Sequence, residues 1–108
     1  MKFDKYPIHA HIKKNIAKLQ FKKPTDIQYK AIPSILKKED VLAVAQTGTG
    51  KTAAFAIPII HLIIESMKRE KTHPGIRCIV LVPTHELAIQ VSNVFESFAK
   101  STKVNILA

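Results

Sequence analysis

Val41-Leu42-Ala43-Val44-Ala45-Gln46-Thr47-Gly48-Thr49-Gly50-Lys51-Thr52 is the stretch on which the fold turns. Its first five residues are all apolar, too short a run for a helix and suited to a parallel strand covered on both faces. The loop that follows carries two glycines, which adopt backbone angles closed to other residues. Successive N–H groups can therefore turn inward around phosphate oxygens, with the N-terminus of the next helix behind them. Lys51 supplies a point charge for the β and γ phosphates, and Thr52 places a hydroxyl where Mg²⁺ would sit. Strand, glycine loop and helix in that order are the context a phosphate-binding loop requires. A chance glycine turn beside a surface lysine is the bland alternative. Ala45 stands where the general pattern has its first glycine.

Downstream of the loop, Lys51 to about Met67 reads as a helix, and Met67 to Gly75 as an exposed connection. Ile79-Val80-Leu81-Val82 is a second buried-strand pattern. Thr84 is a suitable N-cap for a further helix, whose Leu87, Val91, Val94, Phe95 and Phe98 follow helical spacing. Val104 to Leu107 starts a third strand. Alternating strand and helix implies a parallel sheet with right-handed crossovers, whose ligands sit at the carboxyl ends of the strands.

Upstream, Ile8, Ile12, Ile16 and Leu19 recur at helical spacing opposite Lys13, Lys14 and Lys18, with Pro7 acceptable at the first helical position. A second helix is expected from about Asp26 to Lys37, its inner face carrying Ile27, Ala31, Ile32 and Ile35, with Pro33 forcing a kink or break.

The chain has 108 residues, enough for one modest domain, and 46% of them are hydrophobic, which excludes a disordered tail. The longest apolar run, Ala53 to Ile64, has 12 residues, contains Pro58 and His61, and falls short of the ~20 needed to cross a bilayer. No secretory leader is legible, so a cytoplasmic address and no membrane partner are the expectations. One cysteine, Cys78, can form neither an internal disulfide nor a thiolate metal site, and core packing is expected for it. A net charge of +9 favours polyanionic partners such as nucleic acid. The first 40 residues hold 10 lysines against 4 acids. Lysines spaced along an amphipathic helix are also what a solvated face looks like.

Read with its surroundings, the glycine loop resembles the DEAD-box family of ATP-dependent RNA helicases. Ala45 to Thr52 matches the family's motif I, alanine included. Phe21-Lys22-Lys23-Pro24-Thr25-Asp26-Ile27-Gln28 is similar to the adenine-recognising Q motif, and Phe3 to its isolated upstream aromatic. Pro83-Thr84-His85-Glu86-Leu87-Ala88-Ile89-Gln90 resembles motif Ia, which in the family touches the RNA backbone. The resemblance implies an α/β, RecA-like P-loop NTPase fold, here a truncated partial parallel sheet with flanking helices. It divides into a Q-motif region over 1–40 and a P-loop and motif Ia region over 41–108. It also implies ATP and Mg²⁺ as cofactors, RNA as partner, and adenine-nucleotide contacts from Phe21, Gln28, Ala45, Gln46, Thr47, Gly48, Thr49, Gly50, Lys51 and Thr52. Lys51 and Thr52 would serve catalysis, Thr52 the metal, and Pro83, Thr84, His85 and Glu86 the RNA.

The same residues admit other readings. Thr25 and Gln28 also form a capping box, in which each side chain satisfies a helix N-terminal donor. The Gln28 carboxamide can equally present a donor and an acceptor to adenine N6 and N7. Phe21 can stack on the base or be a core aromatic, and Glu86 can simply favour the helix dipole. Two positions depart from the family pattern: Gln20 replaces a glycine, and His85 replaces the arginine of motif Ia. A histidine lacks arginine's permanent charge and forked donors, which weakens an RNA contact there. No aspartate follows the loop, and Glu65, Glu70, Glu86 and Glu96 do not end a strand pattern. The expectation is therefore an N-terminal portion of a helicase, inactive alone, with strand edges open to self-association. A P-loop NTPase of another family and a non-catalytic basic RNA-binding module are the alternatives.

Overall fold

The computed structural model describes residues 3–19, 23–44, 50–69 and 75–108. A 3-10 turn at Phe3–Lys5 leads into α1 (Ala10–Lys18), followed by α2 (Asp26–Leu36), α3 (Lys51–Arg69) and α4 (His85–Ala99). The long α3 is the centre. Ala53, Ala56, Ile57 and Ile60 are buried on it, and α2 and α4 both pack against it. Phe55 and Phe95 meet across the α3–α4 contact with ring centroids 5.8 Å apart. The N-terminal segment completes the core, burying Phe3, Tyr6, Ile8, Ile12 and Ile16.

Local chemistry accounts for the helix ends. α1 begins later than the Pro7 start expected from sequence, because His9 acts as N-cap, its Nδ1 accepting the His11 N–H at 3.2 Å. Pro33 does not break α2, which runs through it to Leu36. The carbonyl that loses its acceptor role four residues earlier belongs to Tyr29, on the exposed face of the helix, where water can replace the missing donor. Thr84 caps α4 as expected, its Oγ1 accepting the Leu87 N–H at 3.1 Å. At the other end of α4, buried Asn15 of α1 donates through Nδ2 to Phe98 O and Lys100 O, both at 2.8 Å.

The parallel sheet is where structure and sequence part. Among the described residues there is no strand: 41–44, 76–82 and 104–108 run without ladder pairing. Leu42, Val44, Leu81 and Leu107 are each at least 90% exposed. A strand exists only through its neighbours, since its N–H and C=O groups must be met by another backbone. These apolar segments carry strand composition without partners. Cys78 shares that fate and is exposed rather than packed in the core. Its neighbour Arg77 ties the segment to α3, Nη1 donating to Ser66 Oγ at 2.6 Å. Among the described residues no helix is long and apolar enough to cross a membrane.

Candidate nucleotide site

The site is built where the start of α2 meets the start of α3. Thr25 sits at the N-cap of α2 in extended conformation, and Gln28 is the third helical residue, so its side chain points back toward the helix N-terminus. The Gln28 Oε1 accepts the Thr25 backbone N–H at 2.9 Å. Thr25 and Gln28 thus form the capping box that their spacing allows.

The carboxamide does a second thing that capping does not require. Its Nε2 donates to the backbone carbonyl of Gly50 at 3.2 Å, across 22 positions of sequence. The same carbonyl accepts the Ala54 N–H at 3.1 Å, the first bond of α3. One side chain, 1% exposed, therefore joins the entry of α2 to the residue that launches α3. Gly50 adopts φ +81°, a left-handed conformation, and a Cβ there would overlap Gln28 Nε2. Glycine is required on both counts.

Immediately beyond Gly50, Lys51 is exposed and Thr52 half-buried in the first turn of α3. That turn presents N–H groups without intrahelical acceptors, the end of the dipole suited to anions. The structure thus gathers Gln28, Gly50, Lys51 and Thr52 in one place. Phe21, Ala45, Gln46, Thr47, Gly48 and Thr49 lie outside the described residues. Among the described residues no group of three or more His, Cys, Asp or Glu is arranged to hold a metal. Thr52 carries a hydroxyl of the kind that in phosphate-binding loops holds Mg²⁺ together with a carboxylate and the substrate phosphates.

The second set stands at the head of α4. Pro83, Thr84, His85 and Glu86 are all exposed, and His85 and Glu86 occupy the first helical turn. The Thr84 cap satisfies one first-turn donor, and Glu86 lies where its charge complements the helix dipole. These residues stand at the head of α4, whereas Gln28 lies on α2 and Lys51 and Thr52 on α3, and α2 and α4 both pack against α3.

Three inward-lying polar residues, Asn15, His61 and Tyr6, were not singled out by the sequence. Asn15 falls three residues after Ile12 and one before Ile16, on the apolar stripe, and His61 lies between buried Ile57 and Ile64 on α3. A polar residue inside such a stripe was the signal available for both. Tyr6 is 2% exposed, and its hydroxyl has no hydrogen-bond partner among the described residues. Burial, with a smaller contribution from Tyr29, raises its pKa above the ordinary tyrosine value.

Comparison with known proteins places the chain in a family. The model of the DEAD/DEAH box helicase family matches residues 25–108. The chain belongs to that family. It is 47% identical over 88 residues to the ATP-dependent RNA helicase DBP10 of Kluyveromyces lactis, covering 82% of this chain and 9% of that protein. It is 42% identical over 94 residues to the ATP-dependent RNA helicase dbp9 of Schizosaccharomyces pombe, covering 87% of this chain and 16% of that one. Among solved structures, a DEAD box protein from the hyperthermophile Methanococcus jannaschii superposes with a TM-score of 0.85 at 43% identity, over 96% of this chain and 27% of the other. The chain thus spans a small part of the length of the relatives it matches.

Proposed function

We propose that this chain forms the adenine-nucleotide-binding segment of an ATP-dependent RNA helicase that couples ATP hydrolysis to the unwinding or remodelling of RNA duplexes. The observation that carries the reading is the Gln28 carboxamide held between the Thr25 N–H and the Gly50 carbonyl. A carboxamide has two N–H donors and an oxygen with two lone pairs, so one donor and one acceptor site remain for a base edge. Adenine asks for that pair, offering N6–H as donor and N7 as acceptor. The two bonds fix the orientation of the amide before any base arrives.

Lys51 would meet the β and γ phosphates, and Thr52 would hold Mg²⁺ together with them. The ion, when bound, neutralises charge on the transferring phosphoryl group. Phe21 would stack on the base, with Ala45, Gln46, Thr47, Gly48, Thr49 and Gly50 wrapping the phosphates. The head of α4 would take an RNA phosphate through first-turn N–H groups, with Pro83, Thr84, His85 and Glu86 around it. The net charge of +9 supports a polyanionic partner. A cytoplasmic address belongs to the same reading, in keeping with the exposed free thiol of Cys78.

The test is RNA affinity measured with and without ATP at several salt concentrations. The helicase reading expects salt-sensitive binding that responds to ATP and loses that response in Lys51→Ala. RNA binding that ignores ATP would instead make the chain a basic RNA-binding module.

A further inference from the structure

Three of the five histidines of the chain meet at the junction of α1 and α3. The His9 backbone N–H donates to Nδ1 of His61, at 2.9 Å and across 52 positions of sequence. The His9 side chain in turn uses its own Nδ1 to accept the His11 N–H, and the rings of His9 and His11 stack with centroids 5.2 Å apart. Both acceptor nitrogens must be unprotonated for these bonds to exist, so each ring carries its proton on Nε2. The His9–His61 bond fastens the N-terminal segment, which lies ahead of the region the family model matches, onto α3.

We propose that His9 and His61 form a proton-operated latch that holds the chain at His9, just ahead of α1, against α3 at neutral pH and loosens it under mildly acidic conditions. A proton on Nδ1 of His61 turns an acceptor into a donor facing the His9 N–H, and the bond is lost. A proton on Nδ1 of His9 removes the cap of α1 and places a positive charge at the helix N-terminus, the end that repels it. The two failures reinforce each other, because both open the same turn of chain.

The charged surroundings favour the neutral rings. Both pKa values lie below the ordinary histidine value, chiefly through burial. Lys68 of α3 lowers both further, His11 lowers His9, and His9 lowers His61. Glu65 alone opposes, and it is shared with Lys68 at 3.6 Å. A released segment therefore binds protons more readily than a latched one. By linkage, the latch is at full strength above the ordinary histidine pKa of ~6.5 and weakens as pH falls through the depressed values. What it exposes on opening is the buried Phe3, Tyr6 and Ile8.

The experiment is an NMR titration of the 108-residue chain from pH 8 to pH 5, following imidazole nitrogens and amide exchange corrected for the intrinsic rate. His61 and His9 should both show the Nε2–H tautomer at pH 8 and titrate with midpoints below ~6.5. Protection of the His9 amide should fall about 10-fold or more as His61 protonates, while the Ile60 amide in the middle of α3 stays protected. His61→Asn, whose Oδ1 can stand in for Nδ1 without titrating, should keep the His9 amide better protected at acidic pH than in the wild type, leaving only the smaller step set by His9 itself. An Nδ1–H tautomer at His61, unchanged protection of His9, or simultaneous loss at His9 and Ile60 would each overturn the latch. So would the same acid step in His61→Asn. Should that variant not fold, the wild-type titration decides alone.

Discussion

Substituting Gly50 by alanine tests the join between α2 and α3 most severely, because the structure separates its cost into two parts. The first is conformational. Gly50 adopts φ +81°, and a side-chain-bearing residue in the left-handed region costs about 1–2 kcal/mol. The second is steric, since the added Cβ overlaps Gln28 Nε2 and the carboxamide must leave. Leaving breaks the bond to Gly50 O and strains the one to the Thr25 N–H. Each such neutral bond contributes about 0.5–1.5 kcal/mol net. Gly50→Ala alone should therefore destabilise by about 2–5 kcal/mol. With Gln28 already alanine, only the conformational part of ~1–2 kcal/mol remains. The double variant should cost less than the sum of the singles by about 1–3 kcal/mol. Urea unfolding of the four proteins, followed by far-ultraviolet circular dichroism, closes the cycle. Additivity within about 0.5 kcal/mol would show that Gln28 and Gly50 do not touch in solution and would refute the geometry of the join.

Three further outcomes are expected. Asn15→Leu removes both bonds to the C-terminal carbonyls of α4 and should lower stability by about 2–4 kcal/mol, read as a shift in urea midpoint. Tyr6→Phe deletes a buried hydroxyl that has no partner among the described residues and should leave the midpoint unchanged or raise stability by about 1 kcal/mol, whereas a clear loss would reveal a partner in solution. His85→Arg adds a permanent charge at the exposed head of α4, so RNA affinity should rise and its salt slope steepen by about one, while a flat salt dependence would exclude position 85 from the phosphate contact.

The helices were legible because their signals are local. Thr84 before the apolar periodicity of α4 and Thr25 three positions before Gln28 announced helix starts that the structure has. The start of α1 was misplaced because His9 is an uncommon cap, its imidazole doing the work usually left to a hydroxyl or carboxylate. The strands could not be settled from composition. Val41 to Val44 and Ile79 to Val82 have the residues of a buried strand, yet burial depends on backbone partners that a local pattern does not contain. At the site, spacing indicated that Gln28 would cap α2 but not that its second function would reach Gly50. That link is a property of how α2 and α3 pack.

Whether Gln28, Gly50, Lys51 and Thr52 form an adenine-nucleotide site is decided by isothermal titration of this chain with ATP and GTP in the presence of Mg²⁺. ATP should bind more tightly than GTP, and Lys51→Ala should weaken both, because the lysine meets phosphates common to the two. Gln28→Ala should weaken ATP by about 1–3 kcal/mol and GTP far less, because the carboxamide meets only the base. Equal affinity for the two nucleotides, with equal loss of both in Gln28→Ala, would show that Gln28 only caps α2 and reads no base.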